Sequence, residues 1–150
     1  MKALVTGGAG FIGSNLVREL VKKKYEVVVL DNLSTGSLKN LKSVKNKIQF
    51  IKCDISKKKS LPQIKNIDYI FHLAGLSKAT ESIKIPKKYY ETNVIGTLNI
   101  LKKIKKNKIK KIIYAASASC YGNPKKLPTS ENDTIQPLTP YASTKWKAEK

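Results

Sequence analysis

The chain has 150 residues, with 30 Lys or Arg against 10 Asp or Glu and a formal net charge of +20. That length suits one domain with a real core, and no apolar run reaches the roughly eighteen residues needed to span a membrane. Cys53 and Cys120 are too few for a disulfide framework and point to a reducing cytoplasm, while an N-terminus that enters a strand at once leaves no signal peptide.

Residues 2–6 read as a short buried strand, and residues 11–20 carry Ile12, Leu16 and Leu20 at helical spacing. Between them lies a glycine turn with the spacing G-x-x-G-x-x-G. Gly7 allows the tight turn off the strand, Gly10 lets the backbone approach a pyrophosphate, and Gly13 lets the helix pack close to the sheet. The first helical N–H groups then face the phosphates. A second strand, 26–30, ends in Asp31, about twenty residues on, where a dinucleotide-binding βαβ unit places its acidic residue. A carboxylate there accepts from both adenosine ribose hydroxyls and repels a 2′-phosphate, which favours NAD over NADP.

A polar loop from Asn32 to Gly36 and a Lys-rich segment to Asn46 lead to strand 48–52, followed by Cys53, Asp54 and Ile55. A polar stretch with Pro62 and a short helix-like piece precede strand 69–73, which runs into Ala74 and Gly75. Residues 81–106 are helical in pattern, interrupted at Pro86. In this stretch Val94, Leu98, Leu101 and Ile104 predict one apolar stripe, with Lys102, Lys103, Lys105 and Lys106 largely outside it. Lysines on solvated faces, and Arg18 as the only arginine, argue against a nucleic-acid partner, because base and phosphate recognition favours the bidentate guanidinium. Strand 111–116 follows. The long loop 117–139, rich in Pro, Asn and Ser, is of a length that is usually functional. Thr139 and Pro140 then read as N-cap and first residue of a helix that carries Tyr141. Strands alternating with helices predict an α/β fold, a Rossmann-like doubly wound parallel sheet with right-handed crossovers. Its ligand belongs beyond the carboxyl ends of the strands.

Tyr141 and Lys145 are four residues apart, hence on one helix face about a turn apart. A lysine ammonium so placed favours the phenolate form and makes the tyrosine a usable base. Ser117, just past the last predicted strand, is the third candidate, able to hydrogen-bond a reacting oxygen and relay a proton. No metal site is expected.

The motifs TGGAGFIGS, DNLSTG, CDI, HLAGLSKATES, ETNVIGTLNIL, SASCYG and YASTK, spread over nearly all of the chain, resemble the NAD-dependent epimerase/dehydratase family of extended short-chain dehydrogenases/reductases. The resemblance implies that Gly7, Gly10, Phe11, Ile12 and Gly13 hold the NAD pyrophosphate. Asp31, Asn32, Ser34, Thr35 and Gly36 would surround the adenosine ribose, and Asp54 and Ile55 would meet the adenine. Leu73, Ala74, Gly75, Leu76 and Ser77 would line the cofactor, and Thr92 or Asn93 would approach the nicotinamide. Ser117, Tyr141 and Lys145 would be the catalytic set, with Tyr141 and Lys145 also touching the cofactor.

The nearest likeness is to members acting on UDP-hexoses or their N-acetyl forms. Family dehydratases follow the hydroxyl residue with an Asp-Glu pair, and the decarboxylases carry a Glu two before the Tyr-Gly; here Ala118 and Ser119 stand in those places. The resemblance therefore implies C4 epimerisation through a transient 4-keto sugar. Tyr141 takes the C4 hydroxyl proton while the hydride passes to NAD and returns to the other face. Several epimerases have lysine where Ser77 stands, with Lys78 next door here, and Ala115 and Ala116 replace serines. His72 reads as a structural strand-end residue, and Cys120 as a small loop residue. Family members are about twice as long, so the later strands and the sugar-nucleotide domain are expected to lie outside these residues. The resemblance also implies dimerisation, which family members often achieve through helices that include the one starting at Tyr141. Other readings are a nucleotide-sugar reductase, dehydratase or 6-epimerase, and a non-catalytic NAD-binding module.

Overall fold

The computed structural model describes residues 1–104, 108–124 and 126–150; the solvated positions expected at Lys105 and Lys106 lie outside the described residues. Five short strands rich in β-branched and aromatic residues form one parallel sheet: β1 (Lys2–Thr6), β2 (Glu26–Asp31), β3 (Ile48–Lys52), β4 (Tyr69–His72) and β5 (Lys111–Tyr114). Their order is β3-β2-β1-β4-β5. The chain thus builds outward from β1 in one direction, returns, and builds outward in the other. Between β1 and β4 the loops leave in opposite directions and open a crevice.

Alternation along the strands sends side chains to two cores. Leu4, Val28, Leu30 and Ile70 meet Ile55, Ile100 and Ile104 on one face. On the other, Ala3, Val5, Val27 and Val29 pack under Val17 and Leu20 of helix α1 (Phe11–Lys22), with Leu41 and Val44 from the 3-10 segment Leu38–Lys47. Both faces being covered is what an all-parallel sheet requires.

Two expected apolar stripes are shifted. On α1 the buried positions are Gly13, Ser14, Val17 and Leu20, while Ile12 is 68% exposed. The helix turns its glycine to the sheet because that is where the backbones come closest, leaving Ile12 on the crevice rim. Between residues 79 and 104 the chain forms α2 (Ala79–Lys84), α3 (Pro86–Tyr90), a π-helical turn (Glu91–Ile95) and α4 (Gly96–Ile104). Val94 and Ile104 are buried, but Leu98 and Leu101 are 42% and 40% exposed. The inward face is instead Asn93, Thr97, Ile100 and Ile104, half of it polar because it serves the site.

The strands end slightly short of the expected Leu73 and Ala116. Leu73 N–H still bonds Thr6 O (3.2 Å) and Ala115 N–H bonds His72 O (3.1 Å) before the chains part. Among its described residues the 117–139 loop contains a 3-10 turn, Ala118–Tyr121, which buries Cys120. Helix α5 (Pro140–Glu149) is capped by Thr139, whose hydroxyl accepts from Ala142 N–H at 3.2 Å, with Pro140 in the first turn as expected.

Candidate active site

The glycine turn follows β1 directly. Gly7 sits at φ +70°, a backbone conformation that side chains disfavour, and its N–H bonds Leu30 O at 2.8 Å. A Cβ on Gly7 would lie 2.8 Å from Ala74 N, so the loops after β1 and β4 are packed backbone to backbone. A Cβ on Gly13 would strike Gly7 O and stand 2.7 Å from Gly8 Cα. No side chain caps the N-terminus of α1, which leaves its first N–H groups facing the crevice. Phe11 and Ile12 stand exposed beside it.

Asp31 is buried where β2 ends. One carboxylate oxygen accepts from Ala9 N–H (2.9 Å) and the other from Leu33 N–H (2.8 Å), tying the glycine turn to the next loop. In that loop Asn32 accepts from Ser34 N–H (3.0 Å), Ser34 and Thr35 are exposed, and Gly36 packs against Ala9. After β3, Asp54 accepts from Ser56 N–H and Oγ (3.0 and 2.7 Å). The side chain of Ile55 belongs to the core and presses on Gly96, so toward the crevice Ile55 has only its backbone to offer.

Beyond β4, Leu73, Ala74 and Leu76 are half-buried while Gly75 and Ser77 are exposed. Asn93 clamps this loop: its Oδ1 accepts from Leu76 N–H (2.8 Å), and its Nδ2 donates to Leu76 O and to Thr144 Oγ1 (both 3.1 Å). Asn93 is thus a buried fastener between the loop and α5, and its neighbour Thr92 is half-buried.

Two of the three residues expected to carry chemistry meet directly. Tyr141 Oη donates to Ser117 Oγ at 3.3 Å, across 24 residues of sequence. Ser117 Oγ also lies 2.7 Å from Ser119 Oγ and accepts from Ser119 N–H. Tyr141 is held by Ser82, whose Oγ accepts from its N–H (3.0 Å), and by the ring of buried Tyr89, edge-on at 6.4 Å. Lys145, one turn on, is only 7% exposed, with its Nζ 4.1 Å from the centre of the Tyr114 ring. Burial holds the Lys145 amine down at about 8, with Glu149 opposing the shift.

His72 lies beneath this group as a structural residue. Thr97 Oγ1 donates to Asn93 O (2.6 Å), so it accepts from His72 Nε2–H (2.8 Å). Thr6 Oγ1 accepts from Ala74 N–H (3.1 Å) and donates to His72 Nδ1 (2.6 Å). The network assigns a neutral imidazole. Burial, and then the Lys145 charge, push His72 down to about 4. Between the ordinary histidine range and that value the unfolded chain takes up a proton that the folded chain refuses. Stability therefore falls as pH drops from about 7 to about 4, by up to about 3 kcal/mol from this residue. Denaturant titrations at the two ends of that window should show the loss, and His72→Gln should flatten it; an unchanged slope in the variant would assign the effect elsewhere.

Ser82, Tyr89, Thr6 and Thr97 escaped the sequence reading. Thr6 and Thr97 stand out as polar residues among apolar neighbours in β1 and α4, whereas Ser82 and Tyr89 lie in the polar stretches ATESIK and PKKYY and carry no such signal. Among the described residues, no group of three or more His, Cys, Asp or Glu side chains is placed to hold a metal ion, and no helix is long and apolar enough to cross a membrane.

A glycine turn at the switch point of a doubly wound sheet, together with a serine just past β5 and a tyrosine and lysine one turn apart on α5, defines a Rossmann-like protein of the short-chain dehydrogenase/reductase class. The family model described as GDP-mannose 4,6 dehydratase matches residues 4–150. The chain belongs to that NAD-dependent epimerase/dehydratase family. It is 42% identical to the UDP-glucose 4-epimerase of Lactobacillus helveticus over 153 aligned positions, covering 100% of this chain and 46% of that protein. Among solved structures, the UDP-glucose 4-epimerase from Bifidobacterium longum in complex with NAD+ and UDP superposes with a TM-score of 0.89 at 36% identity, covering 99% of this chain and 47% of that one. DesIV, the dTDP-glucose 4,6-dehydratase of Streptomyces venezuelae, gives 0.91 at 33% identity over 99% and 49%. The chain spans about half the length of the curated relatives it matches.

Proposed function

We propose that these residues form the dinucleotide-binding and catalytic half of an NAD-dependent UDP-hexose 4-epimerase. The observation that carries this reading is the Tyr141–Ser117 hydrogen bond, with the buried Lys145 one helical turn further along α5. A dinucleotide fits the crevice: Gly7 and Gly13 occupy places no side chain could share, and uncapped N–H groups of α1 face it. Gly7, Gly10 and Gly13 with Phe11 and Ile12 would hold the pyrophosphate. The loops Asp31–Gly36 and Asp54–Ile55 would hold the adenosine, and Leu73–Ser77, with Thr92, the nicotinamide side, while Asn93 fastens that loop from behind.

Bound NAD would supply a reversible hydride acceptor. Tyr141 accepts the proton of the sugar C4 hydroxyl and later returns one, Ser117 hydrogen-bonds the same oxygen, and the Lys145 ammonium favours the phenolate. The residues after Ser117 decide between epimerisation and elimination. Ala118 has no acid-base group, and the Ser119 hydroxyl is engaged with Ser117, so neither serves C5 or C6. A dehydratase needs such a group.

The test is interconversion of UDP-glucose and UDP-galactose by the complete native polypeptide with NAD. Its intact mass in its own cell is expected near twice the 16.7 kDa of these residues. A native polypeptide that binds NAD yet interconverts neither sugar would sink the epimerase reading and leave an NAD-binding module. NADP should bind about tenfold or more weakly than NAD because the Asp31 carboxylate repels a 2′-phosphate. Asp31→Asn should narrow that gap, and equal affinities in the parent protein would remove the role. A cytoplasmic location accords with two free, buried cysteines, and a homodimer with the half-exposed Leu98 and Leu101.

A further inference from the structure

Lys145 is a cation drawn almost wholly out of water, and among the described residues it makes no ion pair. What faces its ammonium is an aromatic ring. Tyr114, the last residue of β5, places its ring centre 4.1 Å from Lys145 Nζ, well inside the distance at which a ring's quadrupole attracts a cation. The same tyrosine reaches the backbone of α5, its Oη donating to Lys145 O at 3.3 Å. The ring is steadied in turn by His72, stacked at 5.8 Å between centroids and 28° between planes. His72 is fixed by hydroxyls at both nitrogens, from Thr6 of β1 and Thr97 of α4. Four elements, β5, β4, β1 and α4, thus supply a chain of contacts that ends on one lysine side chain.

We propose that Tyr114 is a positioning residue for Lys145, its ring face holding the ammonium at the reaction site through a cation–π contact. The physical need is plain. A lysine stem has four rotatable bonds and loses much entropy when confined, and a buried ammonium with no carboxylate in contact would otherwise turn to water. The ring supplies attraction without the strong, competing hydrogen bonds of a carboxylate, which would draw the ammonium away from Tyr141. Burial holds the Tyr114 hydroxyl well above the ordinary phenol range, with Glu149 and then Tyr141 adding to it. Tyr114 thus stays a neutral ring and donor and does not compete as a base. This assignment rests on the proposed function for its catalytic consequence, but the contact itself can be read without turnover.

The experiment compares the complete native polypeptide with Tyr114→Phe and Tyr114→Leu. Protons on the lysine ε-carbon above a ring resonate upfield of other lysines, and Lys145→Met identifies that signal by removing it. Tyr114→Phe keeps the ring and should keep both the upfield signal and UDP-glucose turnover within about threefold of the parent. Tyr114→Leu should lose the signal and about tenfold in turnover. A parent protein with no upfield lysine signal overturns the contact, whether or not the leucine variant folds. Tyr114→Phe as impaired as Tyr114→Leu overturns the ring's role in favour of the hydroxyl. A parent protein inactive on UDP-glucose and UDP-galactose refutes the epimerase reading, and the lysine signal in the parent and Tyr114→Phe proteins then decides the contact alone.

Discussion

Replacing Tyr141 with phenylalanine is expected to lower UDP-hexose turnover by about 10²–10⁴, the range that a positioned acid-base group contributes, while NAD binding survives. The substitution deletes one oxygen and little else. The ring remains edge-on to Tyr89, the backbone N–H remains on Ser82 Oγ, and Thr144 still donates to Tyr141 O at 2.8 Å. α5 therefore keeps its place, and Lys145 stays over Tyr114. What goes is the hydroxyl that bonds Ser117. Steady-state rates with UDP-galactose, set beside NAD titrations followed by fluorescence, separate the two effects. Turnover within tenfold of the parent protein would remove Tyr141 as the base.

The second large effect is expected at Gly13. By helix propensity alone, alanine would be the better residue in α1, by about 1 kcal/mol. Here the sign reverses, because the added carbon meets backbone on two sides, Gly7 O and Gly8 Cα. Neither can rotate away as a side-chain tip could. Gly13→Ala must push α1 off the sheet or distort the turn after β1, and overpacking of this kind costs about 1–3 kcal/mol or more. Displacing the helix N-terminus also moves the N–H groups that face the phosphates, so NAD affinity should fall with stability. Gly10→Ala is the internal comparison: its new carbon would meet only Gly7 O, at 3.2 Å, and should unfold at a temperature nearer the parent's. Denaturation of both variants without cofactor gives the answer, and Gly13→Ala as stable as Gly10→Ala would show that the turn can yield.

Much of this was legible in one dimension because it is local. A glycine turn between a short apolar strand and a helix needs only adjacent residues to be recognised, as does the Thr139–Pro140 start of α5. The acidic residue at the end of β2 follows from a fixed span of chain. Tyr141 and Lys145 share a face by helical spacing alone. Hydropathy misplaces burial where polar side chains find partners. Leu98 and Leu101 look like core and are half-exposed, whereas Asn93, Thr97 and Asn99 look like surface and are buried. Each polar side chain is buried because it has partners elsewhere: Leu76 and Thr144 for Asn93, His72 for Thr97, and Ile55 O for Asn99. A hydroxyl or amide with its hydrogen bonds satisfied loses little by leaving water, and no periodicity in the sequence marks which ones will find partners.

Local spacing specifies the order of strands and helices, the glycine turn, Asp31 and the Tyr-x-x-x-Lys pair, since each depends on a few turns of chain. Tertiary structure alone decided what those residues stand against. Strand order put β4 beside β1, which set Ala74 against Gly7 and let Thr6 meet His72 from 66 residues away. It placed β5 under α5, so that Ser117 reaches Tyr141 and the ring of Tyr114 lies beneath the ammonium of Lys145. Such contacts arise from crossovers that return the chain to the far side of the sheet, and the energies that select them are sums over packed neighbours that no stretch of the chain contains.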